Sequence, residues 1–220
     1  MKILVIATHP DDEVLGCGGV IARHASEGDE VHVLVVTRGA EDLYSKDEIE
    51  TTRKEMKQAH AILGVKDVTF LDFPAPKLDS VPHHQIVDAI SKVINTIKPY
   101  AVFLPHRGDI HSDHRAVYHA TLVAARPINN SSIKNLLSYE TLSETEWAPP
   151  VGEEAFIPTV FVDISSFLEK KLAALNCYKS QMKAPPHPRS LKAIEALALL
   201  RGSTVSLDAA EAFMLVRAIE

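Results

Sequence analysis

At 220 residues, 46% hydrophobic and 24% charged, the chain has the composition of a globular protein rather than a disordered or fibrous one. Its formal net charge of -6 argues against sequence-independent binding to DNA or RNA, which needs a basic surface. Cys17 and Cys177 make no disulfide framework. No stretch approaches the roughly 18 apolar residues of a membrane span, and the opening apolar run is too short for a secretory h-region. The expectation is one cytoplasmic domain over residues 1–220, without nucleic-acid partners or membrane insertion.

Strand-like and helix-like patterns alternate along the chain. Lys2–Ala7 reads as a strand and Val14–Ser26 as a helix ended by Gly28. Glu30–Thr37 is continuous in Val and Leu, as a strand buried on both faces is. Ser45 and Glu48 have capping-box spacing. They open a helix whose apolar stripe runs Ile49, Thr52, Met56, Ala59, Leu63 and stops at Gly64. Asp67–Leu71 is the third strand. Pro82–Ile97 is an amphipathic helix with Ile86, Ile90, Val93 and Ile97 inward, closed by Pro99. Tyr100–Leu104 is the fourth strand and His111–Ala125 the next helix.

This alternation predicts an α/β fold with a mainly parallel sheet flanked by helices. Beyond Pro127 the pattern changes to a small C-terminal α+β elaboration. Asn135–Leu142 and Thr159–Asp163 read as strands, Ser165–Gln181 and Arg189–Arg201 as helices. A proline-rich loop, Ala184-Pro185-Pro186-His187-Pro188, separates the two helices. The apolar segment Phe213–Val216 suits a core element or an interface of a homo-oligomer.

Two polar clusters stand at strand-to-helix corners, where open α/β sheets bind ligands. The first is His9-Pro10-Asp11-Asp12-Glu13, and the second is His111-Ser112-Asp113-His114. A catalytic zinc site uses three N, O or S ligands and keeps a position open. His9, Asp12 and His114 meet that count. Asp11 then suits a general base that takes a proton from water, a role worth about 10²–10⁴ in rate. His111 suits an oxyanion donor or an acid, and Asp113 suits holding the His111 tautomer. A simpler reading keeps Asp11 or Asp12 as the cap of the first helix; two such clusters at successive strand ends favour chemistry.

These motifs resemble the LmbE-like, or PIG-L, N-acetylglucosaminyl deacetylase family. The likeness includes Leu15-Gly16-Cys17-Gly18-Gly19 and Arg53-Lys54-Glu55 in the helix ending Leu63-Gly64-Val65. It continues weakly at Lys170-Lys171-Leu172-Ala173-Ala174-Leu175 and Lys179-Ser180-Gln181. The resemblance implies a Rossmann-like fold and a zinc hydrolase that removes acetyl from an N-acetylated amino sugar. It implies His9, Asp12 and His114 as ligands, Asp11 as base, His111 at the oxyanion and Asp113 orienting it. Zn²⁺ is the expected cofactor, with Fe²⁺ as another divalent choice.

Other residues carry weaker signals. Arg53 lies near the apolar stripe of its helix and suits either a substrate contact, to a sugar hydroxyl or phosphate, or a structural ion pair. Asp109 suits support of the second cluster, and His106 suits the pocket mouth. Glu13 is expected to support the site by hydrogen bonding. Gly16, Gly18 and Gly19 lack the dinucleotide fingerprint and read as close packing of the first helix. Two rivals stand beside the hydrolase: a non-haem iron enzyme, since two His and a carboxylate also form its facial triad, and a non-catalytic metal- or sugar-binding module.

Overall fold

In the computed structural model, which describes residues 1–128 and 131–220, one seven-stranded sheet organises the chain. The elements run β1 (Lys2–Ala7), α1 (Asp12–Ser26), β2 (Glu30–Gly39), α2 (Lys46–Leu63), β3 (Asp67–Ala75), α3 (His83–Ile97), β4 (Ala101–Pro105), α4 (Ser112–Ala124), β5 (Asn135–Tyr139), β6 (Val160–Asp163), α5 (Leu168–Leu175), α6 (Leu191–Ser203) and β7 (Ala210–Ala218). The strand order is β3-β2-β1-β4-β5-β7-β6. The first five strands are parallel, while β7 runs antiparallel to both β5 and β6. The chain thus has the expected α/β architecture.

Alternation along β1 splits the core between two faces. Ile3, Val5 and Ala7 join a cluster that includes Val20, Ile21, Met56, Leu175 and Ile194. Leu4 and Ile6 join the opposite cluster with Ile86, Ile90 and Val117. So α1, α2, α5 and α6 supply one apolar layer, and α3 and α4 the other. The capping box forms as expected: Ser45 Oγ accepts from the Glu48 N–H, and Glu48 accepts from the Ser45 N–H. Gly64 closes α2 at φ 83°, a conformation that glycine adopts without Cβ strain. Among the described residues, no helix is long and apolar enough to cross a membrane.

The C-terminal third departs from the pattern read in the sequence. The helix expected over Ser165–Gln181 spans only Leu168–Leu175. Past it the chain turns, which buries Tyr178 and brings the Ser180 N–H and hydroxyl to Glu55 at 3.0 and 2.5 Å. The strand expected over Asn135–Leu142 ends at Tyr139, and Glu140 beyond it takes a two-pronged ion pair from Arg201. Of the apolar segment Phe213–Val216, Phe213 is buried within β7 and Leu215 is exposed.

The first-helix glycines serve close packing. A Cβ at Gly16 would collide with the Tyr139 ring, and one at Gly19 would stand 2.7 Å from Ile164. The C-terminal third also inserts a buried ion pair beneath α1. Lys171 Nζ donates to the Leu15 carbonyl at 2.8 Å and to Glu211 at 2.6 Å. The same carboxylate accepts the Gly19 and Val20 N–H groups at 2.9 and 2.7 Å. Removing one member of such a pair leaves an uncompensated buried charge. Lys171→Met is therefore expected to cost about 3–5 kcal/mol in urea unfolding; a loss below about 1 kcal/mol, the range of exposed pairs, would contradict this account.

Candidate metal centre and active site

The site forms where β1 and β4 end and α1 and α4 begin. Hydrogen bonds to two carbonyls fix the exit from β1. The Thr37 N–H and hydroxyl both donate to the Thr8 carbonyl, at 3.1 and 2.6 Å. The Tyr139 hydroxyl donates to the Ile6 carbonyl at 2.8 Å. His9 then turns back over the start of α1, its N–H donating to Asp12 Oδ2 at 2.7 Å.

His9, Asp12 and His114 converge. His114 Nε2 lies 3.2 Å from Asp12 Oδ2 and 3.3 Å from His9 Nδ1. His9 Nδ1 lies 3.5 Å from Asp12 Oδ2. Ligand atoms at tetrahedral angles around zinc, with bonds of about 2.0–2.1 Å, stand about 3.3–3.4 Å apart. The three side chains match that spacing. A second observation agrees: Asp12 Oδ1 is buried without a hydrogen-bond partner, a costly state that a cation would relieve. The donor set, two imidazoles and one carboxylate, suits a divalent ion. His9 can also be grouped with His111 and Asp113, but the His111 Nδ1 already accepts the Asp113 N–H at 3.1 Å.

The charges of these three side chains are set by burial and by one another. Burial alone would raise the Asp12 carboxyl, but the facing His114 and His9 hold it well below the usual range. Burial opposes protonation of His114, and the Asp12 and Asp109 carboxylates overcome it and push its pKa well up. His9 is raised likewise, against burial, by Asp113 and Asp12. A cation would compete with protons for these donors. Asp109 stands behind His114, its Oδ2 2.8 Å from His114 Nδ1, and Thr145 donates to its Oδ1 at 2.6 Å. This fixes which His114 nitrogen faces the site.

Asp11 occupies the N-cap position of α1 with φ 136°, yet its side chain makes no capping bond. A non-glycine residue there is strained by about 1–3 kcal/mol and must be held by its surroundings. Glu13 holds its N–H at 3.2 Å, and Arg189 holds its Oδ2 at 2.8 Å. Burial pushes the Asp11 carboxyl up to about 7, against Arg189 and with Asp12 and Glu13 adding to the rise. That is the range in which a carboxylate works well as a base at neutral pH.

His111 caps α4 with Nδ1, accepting the Asp113 N–H. Burial, then His9 and His114, lower its pKa to about 4. The ring is therefore neutral, and with Nδ1 accepting, the proton sits on Nε2. The Asp113 carboxylate is placed elsewhere: Oδ2 is 3.4 Å from His9 Nε2, and Oδ1 accepts the Leu78 N–H at 3.1 Å. Asp113 thus touches His111 through its backbone and His9 through its side chain.

A cleft of about 510 Å³ opens over His9, Asp11 and His111. Arg53 lines it, but its guanidinium contacts Asp72 and lies 4.4 Å from the Phe70 ring centroid. His106 is buried and donates to the Glu154 carbonyl at 3.0 Å, away from the cleft lining. Sequence reading missed Arg189, which donates through Nε to Ser143 at 2.7 Å and reaches Glu144 at 3.5 Å. It also missed Tyr178 and His60, both 2.8 Å from Glu13 Oε1. His60 lies within α2, and Tyr178 and Arg189 fall in segments read as helical, so nothing local in the sequence signals their contacts.

Residues 4–125 match the PIG-L family model, described as GlcNAc-PI de-N-acetylase. The chain belongs to this family. The match contains both corner clusters and ends before Arg189. This PIG-L chain is 35% identical over 187 residues to the Escherichia coli K12 protein named Uncharacterized deacetylase YaiS, covering 81% of this chain and 90% of that one. It is 31% identical over 193 residues to the diacetylchitobiose deacetylase of Thermococcus kodakarensis, covering 82% and 70%. The crystal structure of the conserved protein TT1542 from Thermus thermophilus superposes with a TM-score of 0.79 at 29% identity, covering 99% and 96% of the two chains. Within this PIG-L site, Asp109→Asn is expected to weaken metal binding about 10–100-fold while the fold persists. Chelator competition measures this, and unchanged affinity would remove Asp109 from the site.

Proposed function

We propose that this PIG-L protein is a metal-dependent N-deacetylase, with the 220-residue chain acting as one catalytic domain on an N-acetylglucosamine-type sugar or glycoconjugate. The observations that carry the reading are the His9–Asp12–His114 triangle, closed through Asp12 Oδ2, and the other Asp12 oxygen, Oδ1, buried without a partner, with Asp11 held nearby by Arg189. His9, Asp12 and His114 would hold the ion, Zn²⁺ first and Fe²⁺ second. A divalent ion there would acidify water and polarise a carbonyl oxygen.

The protein's own groups account for the rest. Arg189 occupies Asp11 Oδ2, which leaves Oδ1 to take the proton from the attacking water. The water oxygen bonds to the acetyl carbonyl carbon, and the carbonyl oxygen becomes an oxyanion. The neutral His111 donates its Nε2–H to that oxyanion, the type of interaction that stabilises acyl-transfer transition states most. The C–N bond then breaks. The sugar nitrogen gains a proton from Asp11 or His111, and acetate departs. Arg53, already paired, has further N–H donors for a sugar hydroxyl.

The support from relatives is consistent: diacetylchitobiose deacetylase acts, by its name, on an N-acetylated sugar. Acetate release from N-acetylated sugars by the zinc-loaded protein tests the reaction. Asp11→Asn is expected to lower kcat by about 10²–10⁴ while metal stays bound, and His9→Ala or His114→Ala to lose the metal. Full metal occupancy in either histidine variant would contradict the ligand assignment. Activity that required iron and dioxygen would replace the hydrolase with an oxygenase.

A further inference from the structure

The cleft does not end at the reacting group. It continues along the start of α2, where Tyr44, Asp47 and Thr51 line it together with Ala75 and Pro76 at the end of β3. Its volume of about 510 Å³ lies within the roughly 300–1,000 Å³ of sites that enclose drug-sized ligands. That leaves room beyond one acetylated sugar ring for whatever the ring is attached to.

The charges of this outer part limit what can bind. Three guanidiniums line the whole cleft, and each already faces a carboxylate. Arg38 donates to Glu41 at 2.7 Å, Arg53 to Asp72, and Arg189 to Asp11 at 2.8 Å. Among the described residues no lysine lines it. At the N-terminus of α2 the capping box uses the Ser45 and Glu48 N–H groups, and the Asp47 and Glu48 carboxylates stand in the first turn, so an anion there would meet two negative charges. A phosphate or carboxylate would meet guanidiniums whose charge a carboxylate already offsets. The charge left over is negative: Asp47 is exposed and, among the described residues, stands in no ion pair. Tyr44 adds a half-exposed ring, an apolar face with a polar tip, against which the C–H face of a sugar ring can pack.

We infer that the outer cleft receives a second sugar ring without an acidic substituent, neutral or bearing a free amine, and selects against anionic aglycones. This rests on the deacetylase reading above. Tyr44 packs against the ring, and Asp47 sets the charge preference.

Four compounds test this on the zinc-loaded protein by acetate release: free N-acetylglucosamine and its β-1,4 disaccharides with glucosamine, glucose and glucuronic acid. Each charged disaccharide differs from the glucose compound at one position of the second ring, C2 in glucosamine and C6 in glucuronic acid. kcat/KM is expected to be about three- to fivefold higher for the glucosamine than for the glucuronic acid compound, the size of an exposed charge contact. The gap should shrink in 0.5 M salt, where screening shortens to a few ångströms. Asp47→Lys should reverse the order. Tyr44→Ala should raise KM for the glucose disaccharide several-fold more than for free N-acetylglucosamine. Equal rates on the acidic and basic disaccharides, or a ratio that Asp47→Lys leaves in place, would overturn the inference. So would turnover of free N-acetylglucosamine with none of the disaccharides. Acetate from no compound at all would instead overturn the deacetylase reading itself, and this inference with it.

Discussion

Glu13 follows the site residues directly in the chain but turns away from them, and its fully buried carboxylate must be satisfied inside the protein. One oxygen meets the Tyr178 hydroxyl and His60 Nε2, both at 2.8 Å; the other accepts the Asp11 N–H at 3.2 Å. One side chain therefore ties α2, the turn after α5 and the strained residue ahead of α1 together. The consequence reaches the chemistry. Asp11 can hold φ 136° only because its backbone is anchored, and that backbone sends its carboxylate toward Arg189 and the cleft rather than into a helix cap.

Labour at the site is divided along the chain. The segment that the family match covers, residues 4–125 with β1 to β4, brings the three ligand candidates and His111 to the carboxyl ends of β1 and β4. Two strands that are neighbours in the sheet, though distant in sequence, set the 3.2–3.5 Å triangle. The later third supplies the groups that tune it: Thr145 behind Asp109, and Ser143, Glu144 and Arg189 around Asp11. The buried Lys171–Glu211 pair joins that third to the middle of α1. A change in the C-terminal third can thus alter the base without touching a ligand.

What the sequence discloses follows from what is local. Ser45, Glu48 and Gly64 mark α2 because capping and left-handed closure are decided within one turn. The continuous apolar runs mark the parallel strands because both their faces are covered. The paired clusters are legible because strand-to-helix corners in a parallel sheet share one edge. Arg189 is not legible as a partner of Asp11: it lies 178 residues away, and its pattern reads as the start of a helix that begins only at Leu191. The length of α5 is not legible either, since its pattern continues to Gln181 while Tyr178 is drawn into the core by Glu13. The antiparallel insertion of β7 between β5 and β6 is likewise a tertiary choice. Spacing suggests that Asp113 serves its neighbour His111, whereas the helix turn directs its carboxylate to His9.

The account depends on His9, Asp12 and His114 acting as one divalent site. Anomalous diffraction from crystals of the zinc-loaded protein, recorded on both sides of the zinc edge, tests that most directly. The account predicts a single strong peak in contact with His9, Asp12 Oδ1 or Oδ2, and His114. A protein that bound zinc only at another cluster, such as the surface group His24, Glu27 and Asp29, would contradict it.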